Sequence, residues 1–381
     1  MPDPPKALNG WPVIRLAVTH PVKGHPVKGR GALSNPQGRF EQWRRELAPS
    51  DEVAPSDPAD PELAPPAAGA TRVEPVGMRR AITRNESPDI AFDQSLNPYQ
   101  GCEHGCIYCY ARPTFSFLGL SPGLDFETRI GARTTMPSLL ARELDAPGYR
   151  CSPINIGSAT DPYQPAEREL GITRAVLEVL LARRHPFTVV TKGALIERDA
   201  DLLAEAARLG IAQCFVSIST LDPAFARLWD PRASAPWRRL RAIETLASAG
   251  IPVGVLVAPI VPFLNDQDIE SIIAAAAQRG AQSAHYTLLR LPYEVRPLFE
   301  QWLRSHFPER AERVLARIRD LRGGDKLNDS RFFARMHGQG PWGQLISSRF
   351  RLAARRNGLS RQRRTLDGSG FRPGGAQGRL F

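Results

Sequence analysis

The feature that most constrains this chain is a repeated alternation of short apolar runs with helical patterns. "SPINIGS" reads as a strand, and the residues after it place Val176, Leu177, Leu180 and Leu181 on one helical face. "FTVVT" is a second such strand, followed by the helical "ERDADLLAEAARLG", closed by Gly210. "QCFVSIS" comes next, then Asp222-Pro223, an N-cap and first-turn pair, and a helix through Leu240, Ile243 and Leu246 that stops at Gly250. "VGVLV" leads to a helix on Ile269, Ile272 and Ile273 ending at Gly280, and "AHYTLLRL" is the last strand of the series. A strand just before Cys102 completes about six strand–helix units. Alternation with such short connections predicts a parallel sheet. A winding that never reverses favours a barrel, or part of one, over a doubly wound sheet. In barrels the chemistry sits at the C-terminal strand ends.

The flanks read differently. Residues 1–75 are expected to be a largely disordered extension, because "PSDEVAPSDPADPELAPPAAGAT" carries six prolines and almost nothing to bury. Within it, "KGRGALSNPQGRFEQW" at residues 28–43 is more specific and is expected to be a docking segment. Residues 76–290 form the globular core, and 291–350 a helical cap built on the amphipathic "LFEQWLRSHF" and "RAERVLARIRDLRGG". Residues 351–381 are expected to be an Arg-rich disordered tail. The net charge of +11 favours an anionic partner, nucleic acid being the commonest. The longest near-apolar run, "IPVGVLVAPIVPFL", has 14 residues and three prolines, too short and broken to span a bilayer. The N-terminus has no signal-peptide pattern, so a cytoplasmic, reducing setting is expected.

Five cysteines do not make a disulfide framework in a chain of 381 residues, yet Cys102, Cys106 and Cys109 crowd into "GCEHGCIYCY", after the first strand. Thiolates bind zinc or iron–sulfur clusters. Zinc needs a fourth ligand, either His104, which is strained between Cys102 and Cys106, or a distant residue. A four-iron cluster on three thiolates instead keeps one iron open for a small-molecule ligand. Cys214, within a strand, reads as a small buried hydrophobe, and Cys151 precedes a strand.

The spacing C-x3-C-x2-C, with Tyr108 before the last cysteine, resembles the radical S-adenosylmethionine (SAM) superfamily over roughly residues 85–290. The resemblance implies a partial (β/α)6 TIM-type barrel with a C-terminal helical extension. It implies a [4Fe-4S] cluster on Cys102, Cys106 and Cys109, with SAM bound at the open iron and cleaved to a 5′-deoxyadenosyl radical. It also implies an electron donor such as flavodoxin or ferredoxin. Polar residues at strand ends are then the SAM-pocket candidates: Ser158 and Asp161 after the second strand, Lys192 after the third, and Ser217 and Ser219 at the end of the fourth. Lys192 suits the methionyl carboxylate, and Tyr108 and Tyr110 suit the adenine side. Each has a plainer reading as turn, cap, core or packing residue. Arg238 and Arg239 read as a solvated helical face, with the holding of an anionic substrate as the alternative.

"NPYQGCEHGCIYCYARP" and "TDPYQPAE" are similar to the branch containing spore photoproduct lyase, often called DNA repair photolyase-like. That lyase returns hydrogen through a cysteine near the second strand's C-terminal end, where this chain has "GSAT" and no thiol. The branch and the basic tail point to DNA or RNA as substrate, and the terminal "QGRLF", Gln377 to Phe381, resembles peptides that dock on the bacterial replication clamp. Two alternatives stand beside this: a radical SAM enzyme acting on a protein or small metabolite, and a non-catalytic cluster or zinc module that binds nucleic acid.

Overall fold

The structure, a computed structural model, describes residues 27–41, 70–362 and 364–374, and the backbone of two paired strands, Val13–Leu16 and Arg44–Leu47. Six parallel strands follow in chain order: Gln94–Leu96, Ile154–Ile156, Phe187–Thr191, Ala212–Ser217, Val253–Ile260 and Ser283–Leu288. Each is hydrogen-bonded to the next, and Thr83–Arg84 adds an antiparallel strand beside the first. The first and last of the six do not pair with each other among the described residues, so the barrel is open along one side. This is the partial barrel that the alternation predicts.

The period of two along each strand sorts the side chains. In Phe187–Thr191, Phe187, Val189 and Thr191 are buried against the outer helices, whereas Thr188 and Val190 alternate onto the inner face. The helix Ile172–Ala182 lays Val176, Leu177 and Leu180 on this outer layer, each with no exposure to solvent. Burial of such a side chain is worth about 1.5–3 kcal/mol. The helices Ala200–Arg208, Pro236–Ser248 and Ile269–Gln278 repeat the arrangement. Pro223–Trp229 starts where expected, with the Asp222 carboxylate accepting from Ala224 N at 2.7 Å.

The predicted helical cap is present as Val295–His306, Pro308–Leu321 and the start of Gly340–Arg356. Its first two helices build a second core in which Trp229, Phe299 and Trp302 pack beside Cys106, Ile107 and Tyr108. The cap therefore supports the cysteine loop directly. Among the described residues no helix is long and apolar enough to cross a membrane.

Parts of both flanks depart from the expectation of disorder. Gly340–Arg356 carries the last helix into the expected tail, and residues 357–362 and 364–374 beyond it are ordered. Leu359 and Leu366 are buried, and Phe371 packs against Tyr149 and His185. Ser360 bridges to Ser283 on the sixth strand, covering an otherwise open sheet edge. Three apolar anchors among the arginines are enough to seat the segment. Within 1–75, residues 27–41 pack on the core, and Arg72–Pro75 joins a small outer sheet with Arg129–Ala132 and Tyr99–Gln100. The terminal Gln377 to Phe381 lies outside the described residues.

Candidate active site

The cysteine loop leaves the first barrel strand at the C-terminal end of the barrel. Its shape depends on two glycines in the left-handed region, Gly101 at φ +76° and Gly105 at φ +67°. A Cβ on Gly101 would lie 2.9 Å from the Arg129 and Phe126 carbonyls, and one on Gly105 would lie 2.8 Å from the Glu127 carboxylate. Cys102 N donates to Phe126 O at 2.9 Å and Cys109 N to Cys106 O at 3.2 Å, so the loop closes on itself and on the short helix Leu124–Thr128.

All three thiols are free; Cys102 and Cys106 are buried and Cys109 is half-buried. Burial pushes Cys106 up to about 12, with the Lys192 ammonium opposing. Burial also drives Cys102 well above the usual thiol value, assisted by Asp161 and by the neighbouring Cys106 and Cys109. The three sulfurs thus share one electrostatic neighbourhood. Among the described residues no three His, Cys, Asp or Glu side chains converge as ligands for a single metal ion. A lone zinc needs that convergence; a cluster, whose thiolates take different irons, does not. His104 Nδ1 lies 3.3 Å from Asp161 Oδ2, outside hydrogen-bond alignment. The donor set therefore fits a cluster on three cysteines better than a four-ligand zinc site.

The expected pocket residues fall into two groups. Five of them lie against the loop. Lys192 Nζ sits 5.7 Å from the Tyr108 ring centre, and no hydrogen bond or ion pair ties it to any described residue. Burial disfavours its charge, but Cys106, Asp230 and Asp161 together outweigh that and hold its pKa above the ordinary lysine value. Tyr108 stacks on Trp229 at 4.4 Å and donates to Asp230 Oδ2 at 3.1 Å. Tyr110, 51% exposed, donates its hydroxyl to the Ser158 carbonyl. The Ser158 hydroxyl accepts from Asn97 Nδ2 at 3.1 Å.

Asp161 is occupied within the protein. Its carboxylate accepts from Tyr163 N at 2.9 Å, Thr191 Oγ1 at 2.6 Å and Lys192 N at 2.7 Å. Burial alone would raise its pKa, yet His104 and these donors hold it well below the usual carboxylate range. Asp161 thus ties the second and third strand ends to the cysteine loop. The other group, Ser217 and Ser219, is buried at the same end of the barrel. Ser217 Oγ donates to Ala258 O at 3.3 Å, whereas Ser219 Oγ has no hydrogen-bond partner.

Several working residues carry little sequence signal. Asn97 Oδ1 accepts from Ala159 N at 2.7 Å and Thr160 N at 3.2 Å, clamping "SATDPYQPAE" to the loop. Gln164 Oε1 accepts from Glu103 N at 2.9 Å, and Glu103 in turn accepts from Ala166 N at 2.8 Å. Arg239, expected on a solvated face, is buried and 2.9 Å from Asp230 Oδ1, charge paired but out of hydrogen-bond alignment. Its guanidinium also donates to Ser234 O at 2.6 Å and Ser217 O at 3.1 Å, partners that a charge pattern does not show. Arg238 pairs with Glu197 at 3.1 Å on the outer side, as a surface residue does. Cys151 lies at the opposite, N-terminal end of the second strand, and Cys214 is fully buried.

The comparisons agree with this geometry. The Radical SAM superfamily description matches residues 96–276. An uncharacterized protein of Mycobacterium tuberculosis is 34% identical over 242 residues, which cover 62% of this chain and 70% of the relative. An uncharacterized protein of Methanocaldococcus jannaschii is 24% identical over 217 residues, 57% of this chain and 77% of the relative. A solved variant of spore photoproduct lyase matches with a TM-score of 0.56 at 16% identity, over 85% of this chain and 91% of that one. Another variant of that lyase, with AdoMet and a dinucleoside spore photoproduct bound, matches with a TM-score of 0.53 at 15% identity, over 74% and 79%. Fold and site together define an enzyme of the radical SAM class. The chain belongs to the radical SAM superfamily, and its overall fold is that of spore photoproduct lyase.

Proposed function

We propose that Cys102, Cys106 and Cys109 hold a [4Fe-4S] cluster with one open iron, and that this enzyme cleaves SAM to act on a nucleic acid. The observation that carries the first half is the set of three free thiols on one loop, faced by a Lys192 ammonium with no partner of its own. When bound, the cluster supplies the electron that cleaves SAM into methionine and a 5′-deoxyadenosyl group able to take hydrogen from a substrate. The chain's own residues bind and orient. Lys192 is the natural partner of the methionyl carboxylate. The Ser219 hydroxyl, buried without a partner, and Ser217 and Ser158 beside their own strand ends suit carboxylate or ribose oxygens. Tyr108 and Tyr110 flank the last cysteine and suit the adenine. Asp161 acts one layer back, fixing the backbone of Lys192.

Support for nucleic acid comes from the site's own face rather than from the tail. The Arg290 guanidinium lies 5.6 Å from the exposed Tyr110 ring and has no ion pair among the described residues. Phe332 and Phe333 are exposed on the segment held to Asp89 by Arg335. Aromatic faces beside an arginine without an ion pair, Arg290, suit bases and phosphates. The related fold that binds a dinucleoside photoproduct adds to this reading. The hydrogen-return donor is then a group other than Cys151, which lies at the wrong end of the barrel. A cytoplasmic setting, a flavodoxin- or ferredoxin-type electron donor and clamp docking through "QGRLF" belong to the same reading.

The test is anaerobic reconstitution followed by reduction. About four irons per chain and 5′-deoxyadenosine from SAM are expected. Cleavage stimulated by lesion-bearing DNA or RNA over an undamaged duplex supports the nucleic-acid half; stimulation by proteins or metabolites alone overturns that half. Zinc in place of iron overturns the whole reading.

A further inference from the structure

Residues 30–36 cross directly over the cysteine loop, and one buried carboxylate joins the two. Glu127, with no exposure to solvent, accepts from Gly31 N at 3.0 Å and from Ala32 N at 2.8 Å. The same carboxylate pairs with Arg112, whose guanidinium also donates to Cys106 O at 3.0 Å and Gly105 O at 3.2 Å. Arg30 donates to the Glu127 carbonyl at 2.8 Å. The approach is so close that a Cβ on Gly31 would lie 1.8 Å from Gly105 O. Ala32 belongs to the core that contains Cys106, Ile107 and Tyr108. Further along, Asn35 and Asp125 exchange two hydrogen bonds at 3.0 and 2.9 Å, and Ser34 Oγ donates to Gln301 at 2.7 Å. The segment thus touches the Gly105 carbonyl, which lies between two of the three thiols, yet supplies no ligand of its own.

We propose that residues 30–36 form a strap that holds the cysteine loop in the conformation that accepts and retains the cluster, with Glu127 as the positioning residue that couples strap to loop. The inference rests on the cluster reading above. Groups behind a ligand set tune metal retention without binding the metal, and their loss costs roughly 10- to 100-fold.

The experiment compares the full-length wild type with Gly31→Ala and Glu127→Gln after anaerobic reconstitution. Iron per chain and the rate of iron release to a chelator are measured on chains whose near-UV circular dichroism matches the wild type. The expected result is at least about tenfold faster release in both variants, with a changed electron paramagnetic resonance spectrum of the reduced cluster. Ser34→Ala, which loses one bond remote from the thiols, is expected to release iron at the wild-type rate. Asn35→Ala alters no buried charge and is expected to speed release several-fold, so the test stays readable where either main variant misfolds. Wild-type chains that take up no iron overturn the cluster reading and the strap with it. Loaded wild type whose correctly folded variants release iron at its own rate overturns the strap alone.

Discussion

Two segments outside the barrel pack against its opposite ends, and they do so by opposite means. At the end that carries the cysteine loop, residues 27–41 are seated by buried polar groups: Glu127, Arg112, Asp125 and the backbone of the strap. At the other end, residues 358–374 run beneath the strand starts and are seated by Leu359, Leu366 and Phe371. Among the described residues, four backbone bonds tie this segment to the barrel: Ser360 N to Gln282 O at 3.0 Å, Ala284 N to Ser360 O at 2.9 Å, Asp367 N to Gly210 O at 3.1 Å and Arg372 N to Arg183 O at 2.9 Å. Apolar contact is cheap to satisfy and indifferent to small displacements, whereas a buried carboxylate shared among three donors tolerates few geometries. One end therefore contributes mainly stability, and the other a defined shape around three thiols. The same division holds inside the barrel, where buried charges such as Lys192, Asp161, Asp230 and Arg239 gather at the cysteine end.

Substitutions can break this division. The largest effect is expected from Cys106→Ala, which removes one of the three proposed ligands: iron uptake and 5′-deoxyadenosine formation fall to background, while the melting temperature of the iron-free chain barely moves. A large drop in that melt would show that the cysteine end also carries the fold.

The far end has its own signature in pH. His185 is buried, with Nδ1 3.0 Å from Pro186 O and Nε2 2.8 Å from the Tyr149 hydroxyl. Burial pushes its pKa down to about 4 from 6.5, against the pull of the Pro186 carbonyl. Unfolded chains take up the proton first as pH falls, so its contribution is whole above pH 6.5 and lost between 6.5 and 4. The loss is on the order of 3 kcal/mol. Denaturant melts across that window should show the slope, and His185→Asn should flatten it.

Next comes Lys192→Met. Losing the unpaired ammonium is expected to weaken SAM binding by about 10- to 100-fold, the worth of a charge-assisted hydrogen bond. Because Cys106, Asp230 and Asp161 favour that ammonium in the fold, the SAM-free chain should also melt somewhat lower than the wild type. Calorimetric titration with SAM reads the first effect; a variant that binds SAM normally removes Lys192 from the pocket.

The smallest effect is Phe371→Ala, with about 1–2 kcal/mol of stability lost for a half-buried ring and iron loading unchanged. Altered loading would mean that the two ends communicate.

Much of this was legible in the chain itself. The strands around "FTVVT" and "QCFVSIS" and the helix after Asp222 declare themselves through period, cap and stop signals, which depend on near neighbours. The cysteine spacing is equally local. Asn97, Glu103, Gln164 and Asp230 were not legible as site residues, because each matters only for a partner roughly 60 or more positions away. The ordering of residues 358–374 was hidden for a related reason: three apolar side chains among many arginines give no periodic signal until the barrel provides a surface for them.

The order of the barrel strands and the crowding of three thiols into one loop follow from the amino-acid sequence alone, since steric preference, hydrophobic period and residue spacing all act over a few residues. Tertiary structure alone decided that Lys192 faces Cys106 without a partner, that Arg239 is buried, and that Gly31 rests on Gly105. Those facts arise from burial and charge pairing between distant segments, and such energies exist only once the chain has brought the segments together.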